Sequence, residues 1–350
     1  MAGGAIDSLR RKGWALAASV VIALSFAWVL HAGALPVIPP ASAFSEASWW
    51  AVAGYGVIWL ALQLLRAARW QLLLAPLGEV SLGRVMRICL IGYALLLLLP
   101  FRMGEVARPA MIRKSAGLSM MAATGTIGAE RIIDGLFLSL MLIGALLVST
   151  PVSPLPDHIG ELPVPAAIVP GAALVAVTAF LVLTLAMTAF YFFRATARRA
   201  TLRILGVLSA TLAERTAGAI ERLATGLSFL AQWRASVPFV AVTAIYWFGY
   251  GIGAWLLLAA FGLGGLSFSE VLVICGVLAV GVIVPSAPGF FGSFQISVYA
   301  GMVMFLPLHL VVGPGSAFVF VLYAIQVGST LLLGLGAAVW ERRVVRRTGQ

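Results

Sequence analysis

Six stretches of this chain, at about 14–35, 49–70, 120–149, 166–193, 237–261 and 316–340, are predominantly apolar. Each is long enough, at roughly 20 residues, to cross the hydrocarbon of a bilayer as a helix. In lipid every backbone N–H and C=O has to be satisfied within the protein, so a chain built from such stretches folds as packed membrane helices. Composition agrees: 62% of residues are hydrophobic and 10% are charged, against roughly a quarter charged in soluble domains. No segment between the stretches is long enough for a soluble domain of ordinary size. The expected fold class is all-α, a polytopic membrane helix bundle forming a single domain over residues 1–350.

The net charge of +11 invites a nucleic-acid reading, which the distribution of the basic residues removes. They fall at Arg10–Lys12, at Arg66 and Arg69, between Arg84 and Lys114, at Arg131, between Arg194 and Arg234, and between Arg342 and Arg347. Long stretches between these blocks hold no Lys or Arg, the positive-inside pattern of a membrane protein. Loop 150–165 carries five prolines with Asp157 and Glu161 and no basic residue, so it is expected outside. With a cytoplasmic N-terminus, six crossings return the C-terminal basic cluster to the cytoplasm, and parity agrees with charge. The expected location is the cytoplasmic (inner) membrane. The run from Trp14 to Leu30 is longer than a usual signal-peptide core and reads as a retained first span. Cys89 and Cys275 lie in apolar runs and indicate no disulfide framework.

Two segments depart from simple spans. Residues 85–118 hold a short apolar run broken at Pro100 and followed by Phe101-Arg102-Met103-Gly104-Glu105; residues 270–306 hold a run broken by Pro285-Ser286-Ala287-Pro288-Gly289-Phe290-Phe291-Gly292. Runs this short are more typical of re-entrant segments than of spans. Proline and glycine free polar main-chain groups, which survive at membrane depth only in protein or beside a wet cavity. The order span, broken hairpin, span occurs twice, at about 49–149 and 237–340, with the hairpins starting from opposite sides. That predicts an inverted repeat with a binding site at the repeat interface; two ordinary proline-kinked spans are the alternative. Segment 194–235, with Leu202, Leu205, Leu212, Leu223, Leu227 and Leu230 near helical spacing, is expected to be a cytoplasmic amphipathic helix.

Three constellations carry candidate chemistry. In the first, Arg102, Glu105 and Arg108 are spaced to share a helix face or to pair, and guanidinium groups hold phosphate in a forked geometry. A solvated cytoplasmic turn explains the same residues. The second, Glu130-Arg131 with Asp134, lies inside an apolar run, where a central charge costs roughly 2.5–3.5 kcal/mol. These residues have to face the interior and pair, with Arg102 or Arg108 as candidate partners across the bundle. A structural ion network and a headgroup or proton site are both open. In the third, the second break is followed by Ser293, Phe294 and Gln295, and its glycine-rich backbone is a candidate for presenting helix-end N–H groups to an anion. Pro100, Gly104, Pro285, Pro288, Gly289, Gly292 and Gln295 are the expected helix-break and cavity residues.

The order Leu99-Pro100-x-Arg102-x-Gly104-Glu105-x-x-Arg108, Glu130-Arg131-x-x-Asp134, Pro285-x-x-Pro288-Gly289-x-x-Gly292 resembles the flippase-like membrane domain of lysylphosphatidylglycerol synthases and their stand-alone relatives, over about residues 10–340. The resemblance implies an inverted-repeat bundle that moves a phospholipid or polyprenyl-linked lipid between leaflets. It also implies headgroup contacts at Arg102, Glu105, Arg108, Glu130, Arg131 and Asp134. In the synthases a cytosolic aminoacyl-transferase domain follows; this chain ends at Gln350, so that activity is expected to be absent. Relatives often place Glu where this sequence has Gln295, which weakens a charge-based role there.

The leading expectation is therefore a lipid translocator rather than an enzyme, with membrane lipids as partners and no cofactor, metal or nucleic acid. No phosphate-binding loop of the G-x-x-x-x-G-K-[ST] type is present, which leaves proton- or potential-driven movement, or passive scrambling. Two other readings stand beside it. One is an intramembrane enzyme acting on a lipid headgroup, although His31, His158 and His309 all fall at expected outer positions. The other is a non-transporting partner of a lipid or glycan biosynthetic enzyme docked on the basic 194–235 segment. A homodimer is a further open arrangement.

Overall fold

The computed structural model describes residues 21–99, 104–163, 165–207, 209–283 and 287–348. Among these the chain is helical, with one isolated bridge between Ile159 and Leu162 as its only extended pairing. Five helices are long and apolar enough to cross a membrane: α2 (Trp49–Leu74), α5 (Met120–Val148), α6 (Ile168–Phe192), α9 (Trp233–Ala260) and α13 (Pro314–Thr348). A shorter apolar helix, α1 (Val21–Ala32), covers the described part of the first expected stretch. Their starts follow local chemistry. The Ser119 side chain accepts from the Ala122 N–H at the head of α5, and Ser267 and Glu270 close a reciprocal capping box on the helix that follows α9.

Both expected breaks are present. The helix α3 (Leu82–Leu98) stops ahead of Pro100 and α4 (Gly104–Ala116) folds back along it. In the second unit α10 (Phe268–Gly281) is followed by a 3-10 turn, Pro288–Phe290, and by α11 (Ser293–Met302), which packs back on α10; the short α12 (Leu308–Val312) then leads into α13. At about 1.5 Å per residue, the 17 residues of α3 and the 14 of α10 reach about 25 and 21 Å. Both fall short of the roughly 30 Å of hydrocarbon. Pro100, Arg102 and Pro285 lie outside the described residues.

The packing has a regular plan. α2 packs along α9, α3 along α13, α10 along α5, α4 against α5 and α11 against α13. Exchanging α2, α3, α4 and α5 for α9, α10, α11 and α13 maps the α2–α9 pair onto itself and turns each of the other pairs into another of them. Hydrogen bonds fix the ends. The Ser48 N–H donates to Ala260 O at 2.9 Å and the Val152 N–H to Met304 O at 2.8 Å, which gathers one end of the bundle. At the other end Arg84 donates to Ser115 O at 2.8 Å, and Arg87 of α3 meets Glu341 of α13 at 2.6 Å. The α3–α4 hairpin therefore opens at one end and the α10–α11 hairpin at the other. Cys89 of α3 and Cys275 of α10 are both buried free thiols on corresponding helices.

Segment 194–235 differs from expectation. It is a hairpin of two helices, α7 (Arg194–Gly206) and α8 (Ala210–Thr225), then a 3-10 turn at Ser228–Ala231. The buried residues of α8 are alanines (Ala213, Ala217, Ala224) and Leu212 is exposed, while Leu227 and Phe229 beyond it are buried in the core. Small residues win because backbones meet here: a Cβ on Gly226 would fall 2.1 Å from Ala122 O of α5. Glu214 and Glu221 approach Arg198 across the hairpin while all three side chains stay 41–66% exposed.

Candidate functional site

Charged side chains from three helices converge at the middle of the bundle. Arg69 of α2 grips Asp134 of α5 with both arms, Nη1 to Oδ1 at 2.7 Å and Nη2 to Oδ2 at 2.5 Å. Its Nη1 also donates to Thr243 of α9 at 2.9 Å. Glu130 accepts from three arginines: Arg108 Nη2 at 2.6 Å, Arg131 Nη2 at 2.6 Å and Arg69 Nη2 at 3.3 Å. Arg69, Arg108, Glu130 and Asp134 are all buried. Aromatic faces complete the enclosure, with the Arg108 guanidinium 4.5 Å from the Trp70 ring and that of Arg69 5.3 Å from the Phe239 ring. Taking such charges out of water costs several kcal/mol per ion and is repaid only by close, fully bonded geometry. The forked Arg69–Asp134 pair is close and two-armed, with Arg69 Nε the one guanidinium nitrogen left without a hydrogen-bond partner among the described residues.

Glycines make the approach possible. A Cβ on Gly104 would fall 2.1 Å from the Leu96 backbone nitrogen, so only glycine lets α4 lie this close to α3. A Cβ on Gly92 would fall 2.5 Å from Arg108 Cγ, in the space the arginine stem crosses to reach Glu130.

Beside this network lies a cavity of about 400 Å³. Its charged lining comes from the first unit alone: Arg66, Glu105, Arg131 and Asp134. The second unit contributes uncharged groups, among them Tyr246, Trp247, Tyr250, Gln326 and Thr330. Leu97 and Glu105 flank the first break, and Val282, Ile283, Phe290 and Phe294 flank the second, so both breaks border one space. Counted at 1.5 Å per residue, Arg66 lies about 7 Å and Arg69 about 11 Å from the midpoint of α2, and Asp134 sits at the midpoint of α5. All three distances are shorter than the roughly 15 Å half-thickness of the hydrocarbon.

Arg66 stands apart from the other arginines. Its guanidinium lies 4.5 Å from the Tyr93 ring and 5.8 Å from that of Tyr246. Among the described residues no carboxylate comes within ion-pair distance of it; its buried Nε lacks a hydrogen-bond partner there, as do those of Arg69, Arg108 and Arg131.

The expected residues divide into three sets. Arg108 and Glu130 are enclosed in the ion network and do not line the cavity, whereas Arg131 and Asp134 belong to both, and Glu105 lines the cavity. Arg102 lies outside the described residues, and Arg108 is the arginine that crosses to Glu130. At the second break the role is in the backbone. Gly289 and Gly292 hold φ of 73° and 89°, a left-handed region glycine adopts without strain. The Gly292 N–H donates to Gln295 Oε1 at 2.7 Å, so that N–H is already taken and Gln295 serves as a cap rather than a cavity group. Pro288 opens the intervening turn.

Two residues of this region escape the sequence reading. It assigns Arg66 and Arg69 to topology, yet both point into the protein from inside α2, followed by Trp70-Gln71-Leu72-Leu73-Leu74 before the helix ends. The cost argument that singled out Glu130, Arg131 and Asp134 applies to them equally.

A family model described as "Lysylphosphatidylglycerol synthase TM region" matches residues 14–340. Comparison with curated proteins and with solved structures gave no match.

Proposed function

The chain belongs to the lysylphosphatidylglycerol synthase TM-region family, and from that premise we propose that it is a translocator moving a phospholipid or polyprenyl-linked lipid between membrane leaflets. The observation that carries this reading is Arg66, a cation at membrane depth that faces a cavity and lacks a carboxylate partner among the described residues. A guanidinium held there without a counter-charge is strongly unfavourable in hydrocarbon, and the phosphate of a lipid headgroup supplies the missing anion in forked geometry. Arg131, partly exposed to the same cavity, gives the phosphate a second donor, while Glu105 and Asp134 orient the arginines. The buried Arg69–Glu130–Arg108 core holds the helices rather than the lipid.

The two units are read as an inverted repeat with re-entrant hairpins, on the strength of their interchangeable packing pairs and their opposite openings. Relative movement of the units would turn the shared cavity from one leaflet to the other while acyl chains stay in lipid. The end bearing α7, α8 and the basic tail of α13 is assigned to the cytoplasm by the positive-inside rule, in the inner membrane.

Reconstitution of the pure protein in liposomes with head-labelled lipids tests this. Leaflet exchange that is lost in Arg66→Ala and Arg131→Ala supports translocation. Headgroup turnover without exchange would make the protein an intramembrane enzyme, and neither activity would leave a partner role in lipid or glycan biosynthesis.

A further inference from the structure

The helix α7 buries none of its 13 residues. It rests on α8, with its start against the end of α6. Four arginines and no acidic residue lie along it: Arg194, Arg198, Arg199 and Arg203. Arg198 meets Glu221 of α8 at 3.4 Å. Arg194, Arg199 and Arg203 are exposed and have no carboxylate within ion-pair distance among the described residues. Like charges four apart on a helix repel, and a helix of this length has little stability of its own in water. An anionic surface laid along the outer face of α7 relieves both costs.

Three neighbours set the level of α7. The 25 residues of α6 reach about 37 Å, against roughly 30 Å of hydrocarbon, and only Phe193 separates α6 from α7. The end of α8 lies on the first two turns of α5: a Cβ on Gly226 would fall 2.1 Å from Ala122 O, and one on Gly125 2.4 Å from Leu223 O. The helix α9 starts at the exposed Trp233, and the Arg234 guanidinium lies 5.6 Å from its ring. Phe192 and Phe193 are exposed beside Arg194. Aromatic rings interleaved with basic residues where spans end mark the boundary between hydrocarbon and headgroups. On α7 and just past it, Ile204 and Val207 are exposed as well, 69% and 87%, next to Arg203.

From a basic helix with no buried residue, held by α8 at the level where the spans end, we propose that α7 is a docking surface for the anionic headgroups of the leaflet on its side of the membrane. Arg199 and Arg203, four residues apart, share one helix face and take the anionic oxygens of the headgroups. Ile204 and Val207 enter the apolar boundary beside them, as in helices that lie in the plane of the interface. The backbone contacts at Gly125 and Gly226 hold α8 against α5, so α7 is presented at a fixed depth. A soluble acidic partner would answer the arginines but would also have to bring an apolar layer, which the membrane already offers at that level. The lipids in question are the surrounding leaflet and not the occupant of the cavity. The surface therefore stands whatever the protein translocates, and it does not involve Arg66.

The test is hydrogen–deuterium exchange of the full chain in lipid nanodiscs. Discs of phosphatidylcholine alone are compared with discs in which about one third of the lipid is anionic phosphatidylserine, a surface that holds each nearby arginine about five-fold more tightly. The backbone amides of α7 are expected to exchange about ten-fold more slowly, or slower still, in the anionic discs. Arg199→Gln combined with Arg203→Gln is expected to abolish that difference. Both side chains are exposed, so the fold is not at stake, and unchanged exchange along α5 in the variant verifies it. Equal exchange of α7 in the two kinds of disc, or slowing that survives the double variant, overturns the docking surface. Slowing by soluble polyglutamate in phosphatidylcholine discs, without slowing by phosphatidylserine, also overturns it and makes α7 a site for an acidic protein. Arg66→Ala is expected to leave the effect in place. The readout needs no lipid to cross the bilayer, so its failure and the failure of the translocation reading are told apart.

Discussion

Arg69 and Asp134 meet in a two-armed ion pair, 2.7 and 2.5 Å between their paired atoms, that ties α2 to α5 within their apolar spans. Neither side chain stands alone, because Glu130 shares Arg69 with Asp134 and draws in Arg108 and Arg131. The group is a hub on which α2, α4 and α5 depend for their mutual position, and Thr243 connects α9 to it.

Removing one member of this hub strands its partner as a buried charge. Asp134→Ala and Arg69→Ala are each expected to lower stability by about 3–5 kcal/mol. The double variant is expected to be less damaged than the sum of the two. Thermal or denaturant unfolding in detergent, arranged as a double-mutant cycle, measures the coupling; strict additivity would show that the pair does not act as a unit.

Arg66 is expected to behave in the opposite way. It has no ion pair to lose among the described residues, so Arg66→Gln should leave unfolding unchanged or slightly improved while anionic-lipid exchange falls at least ten-fold. The contrast with Arg69, one helical turn away, separates a residue that binds from a residue that holds. Equal destabilisation of the two variants would place Arg66 in the structural network instead.

The close approach of the first hairpin makes a third expectation. Gly104→Ala would put a methyl group 2.1 Å from the Leu96 nitrogen, a backbone atom that cannot turn aside. α4 then has to move away from α3, and Arg108 moves with it away from Glu130. Loss of stability of several kcal/mol is expected, well beyond the roughly 1 kcal/mol gain that alanine ordinarily brings over glycine within a helix. Unfolding measurements on this variant beside Gly128→Ala, where a Cβ meets nothing within 4 Å, provide the comparison.

These cases also show which parts of the molecule were legible in the amino-acid sequence. The long spans were, because length and apolarity in lipid leave one backbone solution; α2, α5, α6 and α9 start and stop within a few residues of their expected bounds. Both breaks were visible for the same reason, since Pro and Gly interrupt the only hydrogen-bond pattern lipid tolerates. Glu130, Arg131 and Asp134 were visible by their cost. Their partners were not: whether Arg102 or Arg108 reaches Glu130 depends on how α4 rotates over Gly104 and Gly92, a tertiary matter. Arg69 was hidden by the positive-inside rule, which assigns basic residues to loops without asking whether the helix continues beyond them. Of the leucines of 194–235, Leu227 is buried and Leu212 is exposed, while within α8 itself the buried positions are alanines because the helix packs by backbone proximity.

The sixth helix suggests how a lipid reaches the cavity. α6 is almost wholly exposed along its apolar surface, with Leu174, Val175, Leu181 and Val182 facing outward, yet one of its residues, Phe180, lines the cavity. Its ring rests on Gly135 of α5, where a Cβ would fall 2.1 Å from Phe180 Cε1. The ring is thus a section of wall between the charged site and a lipid-facing helix, held in place by contact and not by any hydrogen bond. Phe180→Ala is expected to thin that wall and speed exchange of a fluorescent short-chain anionic lipid severalfold, without loss of equilibrium affinity at Arg66. Gly135→Ala is expected to displace the ring and alter the same rate while leaving the Arg69–Asp134 pair formed, as unfolding stability near wild type would report. Unchanged exchange in both variants would mean that the lipid arrives by another face of the bundle.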